Sequence, residues 1–467
     1  MTVLNTPATA GRGSFKRVLN ALDMTLFTVC AILVIDTLAA SAKVGVSSLT
    51  WWVITFFFFF VPYGLIVAEL GAAYPGEGGI QQWIRRAYGD RWAGRAGWYY
   101  WVNVALWMPS VYILFAGMTA QLFAPEMGLW TKIVIGIVMT WITVGVGIAS
   151  LANSKWVPNV GAVVKAAIML LMGVAGIWVA FTRGVANEIN FSTLMPSWDI
   201  GLAFLPVVVY NFLGFELMSG AGEEMKNPAR DVPFAIVVAG LAIVAFYLLA
   251  TFGILAALPV DQIGLIEGVL DTVGKLLGES DLAKAVTMIV GLGALYTFFA
   301  NMVTWTLGAN RTAQAAAADG ELPAIFASLH PTYNTPVGAF LLTGLVSTVV
   351  IVLYGLLAGT AEDLFWSLFA FSSIVFLLPY LLVFVAFLKL RRVDVDVPRP
   401  YRVPGNRAVI VTLASLCFFF VAQAIIFFVW VPGEGIDWTT AGPIVGGVVL
   451  TIILGEVILA IQGRKSA

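Results

Sequence analysis

The chain has 467 residues, 60% hydrophobic and 11% charged, with a net charge of −1 and a mean hydropathy of +0.94. That is too apolar for a soluble globular protein, in which about 25% of residues carry charge. Cys30 and Cys417 lie inside apolar runs and the one histidine, His330, in a polar loop, which excludes a disulfide framework and clustered metal ligands. The class is an all-α polytopic membrane protein.

In chain order, the N-tail (residues 1–20) is polar and basic, and no small-residue cleavage site closes the helix that follows, so it reads as a cytoplasmic tail. Taking about 20 apolar residues as one span, twelve segments follow, near 21–47, 49–73, 92–124, 132–151, 156–181, 199–222, 232–258, 283–316, 334–358, 362–390, 408–431 and 441–462. The third is too long to cross upright and must tilt or reach into water. The run Phe56 to Phe60 reads as lipid-facing and packed helix surface, and the loop 259–282 carries several acids without a decided role. A basic loop (391–407) precedes the last two spans (408–462) and a short C-tail (463–467).

Orientation follows from the cations. The tails and the loops on their side hold 19 Lys and Arg, the opposite loops four. This places both termini in the cytoplasm. The remaining two cations, Lys43 and Lys165, fall inside spans; Lys43 is near a helix end and can snorkel.

Two segments carry residues that lipid-facing helix does not tolerate. The first has Asp36 at mid-span, followed by Leu38-Ala-Ala-Ser-Ala42. The sixth has Asn211-Phe-Leu-Gly-Phe-Glu216, then Ser219-Gly-Ala-Gly222. A charge at mid-bilayer costs about 2.5–3.5 kcal/mol on the insertion scale, so such residues face protein, water or a ligand. Backbone unwinds at membrane depth only where it lines a cavity. Interrupted segments five helices apart point to an inverted-repeat transporter with its site at the midplane. The repeats would be 21–181 and 199–390, together the transporter core 21–390.

Three blocks of sequence extend this reading: Ala68-Glu69-Leu70 with Tyr74-Pro-Gly-Glu-Gly-Gly79, Phe212 to Glu216 with Glu223 to Pro233, and Gly308 to Pro323 leading to Tyr333-Asn-Thr-Pro336. In this order and spacing they resemble the amino acid–polyamine–organocation transporter superfamily, most closely the glutamate–GABA antiporter branch. The resemblance implies a LeuT-type fold of twelve helices (a 5+5 inverted repeat plus two, helices 1 and 6 discontinuous) working by alternating access.

The departure from the family is informative. Many members carry a glycine-rich first-helix break whose N–H groups bind a substrate carboxylate; here Ile35-Asp36-Thr37-Leu-Ala-Ala-Ser41 stands there instead. An ammonium pairs with Asp36, whereas an anion is repelled. The substrate-binding set expected from the residues and the resemblance is Asp36, Ala39, Ala40, Ser41, Asn103, Trp107, Tyr210, Phe212, Phe215, Glu216 and Trp305. Aromatic faces suit a cation with apolar stems. By resemblance, Glu216, Lys165, Tyr100 and Tyr380 serve gating or coupling, with the Lys165 ammonium standing where sodium sits in sodium-coupled relatives. The expected function is a sodium-independent secondary transporter of amines, polyamines or cationic amino acids, coupled to protons or exchange. The alternatives are a carrier of zwitterionic or acidic amino acids, with N–H groups near Ala39 to Ser41 holding the carboxylate, or a sensor or complex subunit without flux. No enzymatic activity, metal, cofactor or nucleic-acid partner is expected. The partners are an amine or amino-acid substrate, protons or an exchanged solute, and the bilayer. Short tails favour a bacterial inner membrane.

Overall fold

The computed structural model describes residues 21–74, 79–149, 156–196, 203–217, 228–430 and 435–465. The N-tail, Pro75 to Gly78 of the second-helix motif, Lys155, the run 218–227 after Glu216 and the last two residues of the C-tail lie outside the described residues.

All regular structure among the described residues is helical. The first predicted span is divided into α1 (Ala21–Ile32) and α2 (Leu38–Ala42). Next come α3 (Ser48–Ala73), α4 (Ile80–Tyr88), α5 (Asp90–Phe123), α6 (Leu129–Ile148) and α7 (Trp156–Thr182). The sixth segment begins as the short α8 (Leu205–Tyr210). It is followed by α9 (Pro228–Ala257), α10 (Gly268–Leu277), α11 (Asp281–Ala318), α12 (Val337–Gly355), α13 (Ala361–Val393), α14 (Arg407–Phe427) and α15 (Trp438–Lys465). Ten helices among the described residues are long and apolar enough to cross a membrane, and the shorter apolar stretches Leu22–Ile32 and Leu205–Leu217 are the two interrupted segments.

The centre of the bundle is α5, packed on α13, α11, α6 and α12. Its sequence is dense in large aromatics, and Trp101, Trp107, Tyr100 and Tyr112 are fully enclosed. In contrast, α14 and α15 keep most of their apolar surface outward, as helices that face lipid do. Glycines allow a close crossing of α7 and α9: a Cβ on Gly176 of α7 would sit 2.7 Å from the Gly253 Cα of α9. Small residues let helix backbones approach where lipid provides no hydrophobic drive.

Three details depart from a plain reading of twelve segments. A π-turn at Phe56–Phe60 splits the phenylalanine run, with Phe57 and Phe58 outward and Phe59 and Phe60 buried. The amphipathic α4 buries Ile80, Trp83, Ile84 and Ala87 and keeps Arg86 exposed. The acidic loop after α9 holds α10, which buries Val269, Leu270, Val273 and Leu276. Both extra helices show the 3.6-residue period but are too short to span. Lys43 does not snorkel freely: its ammonium pairs with Glu362 at 3.3 Å.

Candidate functional site

The two interruptions are the centre of the site. A helix leaves its last carbonyls without intrahelical donors, and inside a bundle each needs another. At the end of α1, three successive carbonyls receive donors from three different helices. Lys165 Nζ of α7 donates to Cys30 O at 2.6 Å, Trp305 Nε1 of α11 to Ala31 O at 3.0 Å, and the Tyr247 hydroxyl of α9 to Ile32 O at 2.5 Å. Tyr247 also accepts the Val34 N–H at 3.0 Å, and the Asn211 carbonyl of the sixth segment lies 3.3 Å from the same hydroxyl. Thr37 donates to Asn211 Oδ1 at 2.6 Å, so the breaks are bonded to each other directly.

The sixth-segment break depends on Gly214, whose φ of +125° is disfavoured for any side chain. A Cβ there would stand 3.1 Å from both Ile32 and Trp305. Just beyond it, Glu216 is 2% exposed and surrounded by three phenols. Tyr100 donates to Oε1 at 2.8 Å, Tyr380 to the same oxygen at 2.5 Å, and Tyr63 to Oε2. Tyr63 also accepts the Gly214 N–H at 3.2 Å, which ties the carboxylate to the turn. Lys165 is 1% exposed and makes a second bond to Asn301 at 2.9 Å.

Five aromatic rings form one contiguous wall. Trp107 meets Trp305 edge-on at 5.6 Å and Tyr210 at 6.0 Å. Phe376 lies 5.3 Å from Trp305, 5.5 Å from Tyr210 and 6.1 Å from Tyr100. Asp36, 3% exposed, interacts electrostatically with Tyr210, Tyr247 and Lys165. Its Oδ2 has no hydrogen-bond partner, and neither have both amide atoms of Asn103 or Nε1 of Trp107. Asn103 and Trp107 share one face of α5, four residues apart. Buried polar atoms are normally bonded; these three groups are among those left without a partner, as are Nδ2 of Asn211 and Nδ2 of Asn301.

Of the residues singled out in sequence, Trp107, Tyr210 and Trp305 meet directly, with Asp36 coupled to Tyr210 and Asn103 on the α5 face of Trp107. Tyr100, Tyr380 and Glu216 form the adjoining phenol cage. Phe212 and Phe215 turn away: Phe212 packs on Trp52 (5.1 Å) and Phe60 (4.4 Å), and Phe215 on Phe60 (4.8 Å) and Tyr63 (5.8 Å). Ala39, Ala40 and Ser41 are buried in α2. The Ser41 N–H already bonds Thr37 O at 3.0 Å and its hydroxyl Leu38 O at 2.8 Å. Tyr63, Tyr247, Phe376, Asn211 and Asn301 were not anticipated in these roles. Phe376, four residues before Tyr380 on the same face of α13, was within reach of helical spacing; the two tyrosines look in sequence like ordinary aromatic positions of apolar spans.

Away from the breaks, ion pairs tie the helix ends. On the side where α4 lies, Arg85 pairs with Asp319, Glu321 (2.7 Å) and Asp90 (3.2 Å), and the Gln81 amide bonds Glu321. Glu69, 1% exposed, holds Arg391, Arg399 (3.2 Å) and the Val403 N–H (2.7 Å). At the other side stands the Lys43–Glu362 pair.

A model of the amino acid permease family matches residues 19–454. The chain is 34% identical over 446 residues to a protein of Lactococcus lactis described as a probable agmatine/putrescine antiporter, covering 95% of each chain. It is 24% identical over 443 residues to a branched-chain amino acid permease of Bacillus subtilis, covering 89% of each. A methylthioribose transporter of Bacillus subtilis is 25% identical over 308 residues, 66% of this chain and 59% of that one.

Proposed function

Because the chain belongs to the amino acid permease family, and is thus a transporter and not an enzyme, we propose that it carries small organic amines by exchange, with agmatine- and putrescine-like dications as its substrate class. The observation that carries this reading is the Asp36 carboxylate, buried at the first-helix break with one oxygen unpartnered beside the Trp107–Trp305–Tyr210 wall. A buried carboxylate with aromatic faces binds a cation through charge and ring quadrupole together. Agmatine and putrescine have no carboxylate, and of the N–H groups near Ala39 to Ser41 that could hold one, that of Ser41 is already bonded to Thr37 O. The named activity of the Lactococcus lactis relative supports the same class.

In this mechanism the substrate ammonium pairs with Asp36, and Tyr210, Trp107 and Trp305 enclose its methylene chain. Asn103 supplies a polar contact, and Glu216 with Tyr100 and Tyr380 couples occupancy to gating. Lys165 puts a fixed ammonium between α1, α7 and α11, where it replaces the charge of a bound sodium ion, so transport needs no sodium. The frame is a LeuT-type arrangement of repeats 21–181 and 199–390, with both termini cytoplasmic in a bacterial inner membrane. The broken first and sixth segments and the distribution of Lys and Arg support it.

The test is uptake into proteoliposomes preloaded with putrescine, using matched pairs: agmatine against arginine and putrescine against ornithine. The amines are expected to exchange faster at equal concentration. Preference for the amino acids would show that a carboxylate is recognised and would overturn the reading.

A further inference from the structure

Apart from the breaks, a chemically mixed cavity of about 480 Å³ opens between the end of α12, the starts of α13 and α15 and the residues preceding α8. Its size lies in the range of small-molecule sites, about 300–1,000 Å³. Phe204, Tyr354 and Trp366 give it aromatic walls, and Glu362 and Asp363 its charge; none of its lining residues is basic. Asp363 is engaged with the helix cap, accepting the Thr360 hydroxyl at 2.7 Å. Glu362 accepts the Leu265 N–H at 3.2 Å and the Lys43 ammonium at 3.3 Å. That ammonium also lies 5.6 Å from the centre of the Phe204 ring. Two of the lining residues thus already hold one primary ammonium that comes from outside the lining, with the Glu362 carboxylate on one side and the Phe204 ring on the other.

Two further features connect this place with the breaks. Lys43 is the C-cap of α2, and its N–H closes that short helix on Ala39 O. Whatever moves Lys43 therefore pulls on the segment that begins two residues after Asp36. A ladder of rings also runs inward: Phe204 to Trp366 at 5.0 Å, Trp366 to Phe369 at 6.0 Å, and Phe369 to Tyr210 at 5.0 Å. Tyr210 belongs to the wall beside Asp36.

We propose that this cavity is a second, outer binding site for organic ammonium ions, in which Lys43 occupies the position on Glu362 and Phe204 that an arriving amine takes. The assignment of amines as cargo rests on the reading of Asp36 above; the outer site itself rests on the cavity, its carboxylate and ring, and the ammonium they hold. Displacing Lys43 unpins α2, so occupancy of the outer site loosens the break ahead of transfer along the ring ladder.

The experiment uses Ser367→Cys, a lining position, in the full-length protein; Cys30 and Cys417 are buried and do not compete as reporters. Its modification is timed with a cationic and an anionic methanethiosulfonate, with and without putrescine. The cationic reagent is expected to react about fivefold faster, as a partly exposed carboxylate of about 1 kcal/mol allows. Adding Glu362→Gln should remove that preference and the protection by putrescine. Adding Lys43→Gln should lower the half-protecting putrescine concentration about fivefold. Protection should persist with Asp36→Asn. Equal rates for the two reagents, protection unchanged by Glu362→Gln, or protection abolished by Asp36→Asn would each overturn the outer site. Putrescine that protects the introduced thiol without being transported refutes the cargo reading and leaves the outer site standing. Transport without protection does the reverse.

Discussion

Replacing Asp36 with asparagine keeps the shape of the side chain and removes its charge. The carboxylate is 3% exposed with one unpartnered oxygen, so the lost interaction is felt in a largely dry setting. Two unit charges about 4 Å apart interact by about 4 kcal/mol at an effective dielectric constant of 20. The amide dipole of asparagine and retained ring contacts recover part of this, leaving an expected loss of about 2–4 kcal/mol, or about 30-fold to 1,000-fold in affinity. Lys165 pushes the result toward the larger figure, because its ammonium interacts with Asp36 and would stand uncompensated against an incoming cation. The assay is equilibrium binding of radiolabelled putrescine to purified protein, beside a thermal unfolding scan. The scan separates a lost site from a lost fold: Lys165 keeps its bonds to Cys30 O and Asn301, so the variant should stay folded, although the ammonium loses the Asp36 charge. A dissociation constant within about threefold of the parent, a difference of under 1 kcal/mol, would remove Asp36 from the binding site.

Uptake is expected to be unchanged when potassium replaces sodium, and Lys165→Met, which leaves Cys30 O and Asn301 without their donor, should lower stability by about 3 kcal/mol in thermal unfolding; sodium-dependent uptake would refute the ammonium's role. Tyr247→Phe deletes the donor to Ile32 O and the acceptor for Val34 N–H, with an expected cost of about 1–3 kcal/mol; a negligible shift in the melting temperature would show that the α1 break is held by other means. Gly214→Ala puts a side chain at φ +125°, 3.1 Å from Ile32 and Trp305, and should cost about 1–3 kcal/mol and exchange activity; wild-type exchange rates would show that the turn is not needed in this form. Burial pushes the Glu321 carboxyl up to about 7, against Gln81 and Arg85, which favour its charge, while Asp319 repels it. The folded state therefore holds a proton that the unfolded state releases near 4.5, and this contribution is complete below 4.5 and lost as pH rises through 7. Relative to Glu321→Gln, the parent should lose up to about 3 kcal/mol of stability between pH 4.5 and pH 8, and a pH-independent difference would refute it.

Hydropathy alone made the spans legible, because a bilayer demands long apolar stretches whatever their packing. The interruptions were legible for the complementary reason: Asp36, Asn211, Gly214 and Glu216 violate that demand, so they announced a cavity or a network. What sequence could not supply is which group receives which partner. Tyr63 and Tyr247 were unremarked because an aromatic in a span has many ordinary uses; only the fold directs one hydroxyl to Glu216 and the other to the three groups around the breaks. Phe212 and Phe215 show the reverse case. Adjacency to the break suggested the site, but Gly214 turns the chain so that these rings pack beneath α3. The amphipathic α4 and α10 were hidden because a search tuned to about 20 apolar residues passes over helices that only lie against the bundle.

The ends of the bundle are unequally fastened. At the end that the proposed orientation places outside, the Lys43–Glu362 pair has side-chain exposures of 24% and 42%, and such a pair is worth about 0.2–1 kcal/mol. At the opposite end Glu69 is 1% exposed and serves two arginines and a backbone N–H, while Glu321 joins Arg85 and Gln81. Separating a buried network of this kind leaves uncompensated charge and costs about 3–5 kcal/mol. As far as the ion pairs among the described residues decide the matter, in the proposed orientation the free protein opens outward more readily than inward. Under the proposed function Lys43 then has a second consequence: an external amine would compete with a weak internal pair, whereas inward release would draw on energy from the occupied site. Tyr247 and the Thr37–Asn211 bond supply a route for it, since both breaks share them and neither can move alone. Cysteine accessibility on the two faces tests this directly, the free protein being expected to react faster at Ser367→Cys than at a cysteine beside Glu69. The opposite order would mean that helix packing, and not these charges, sets the resting state.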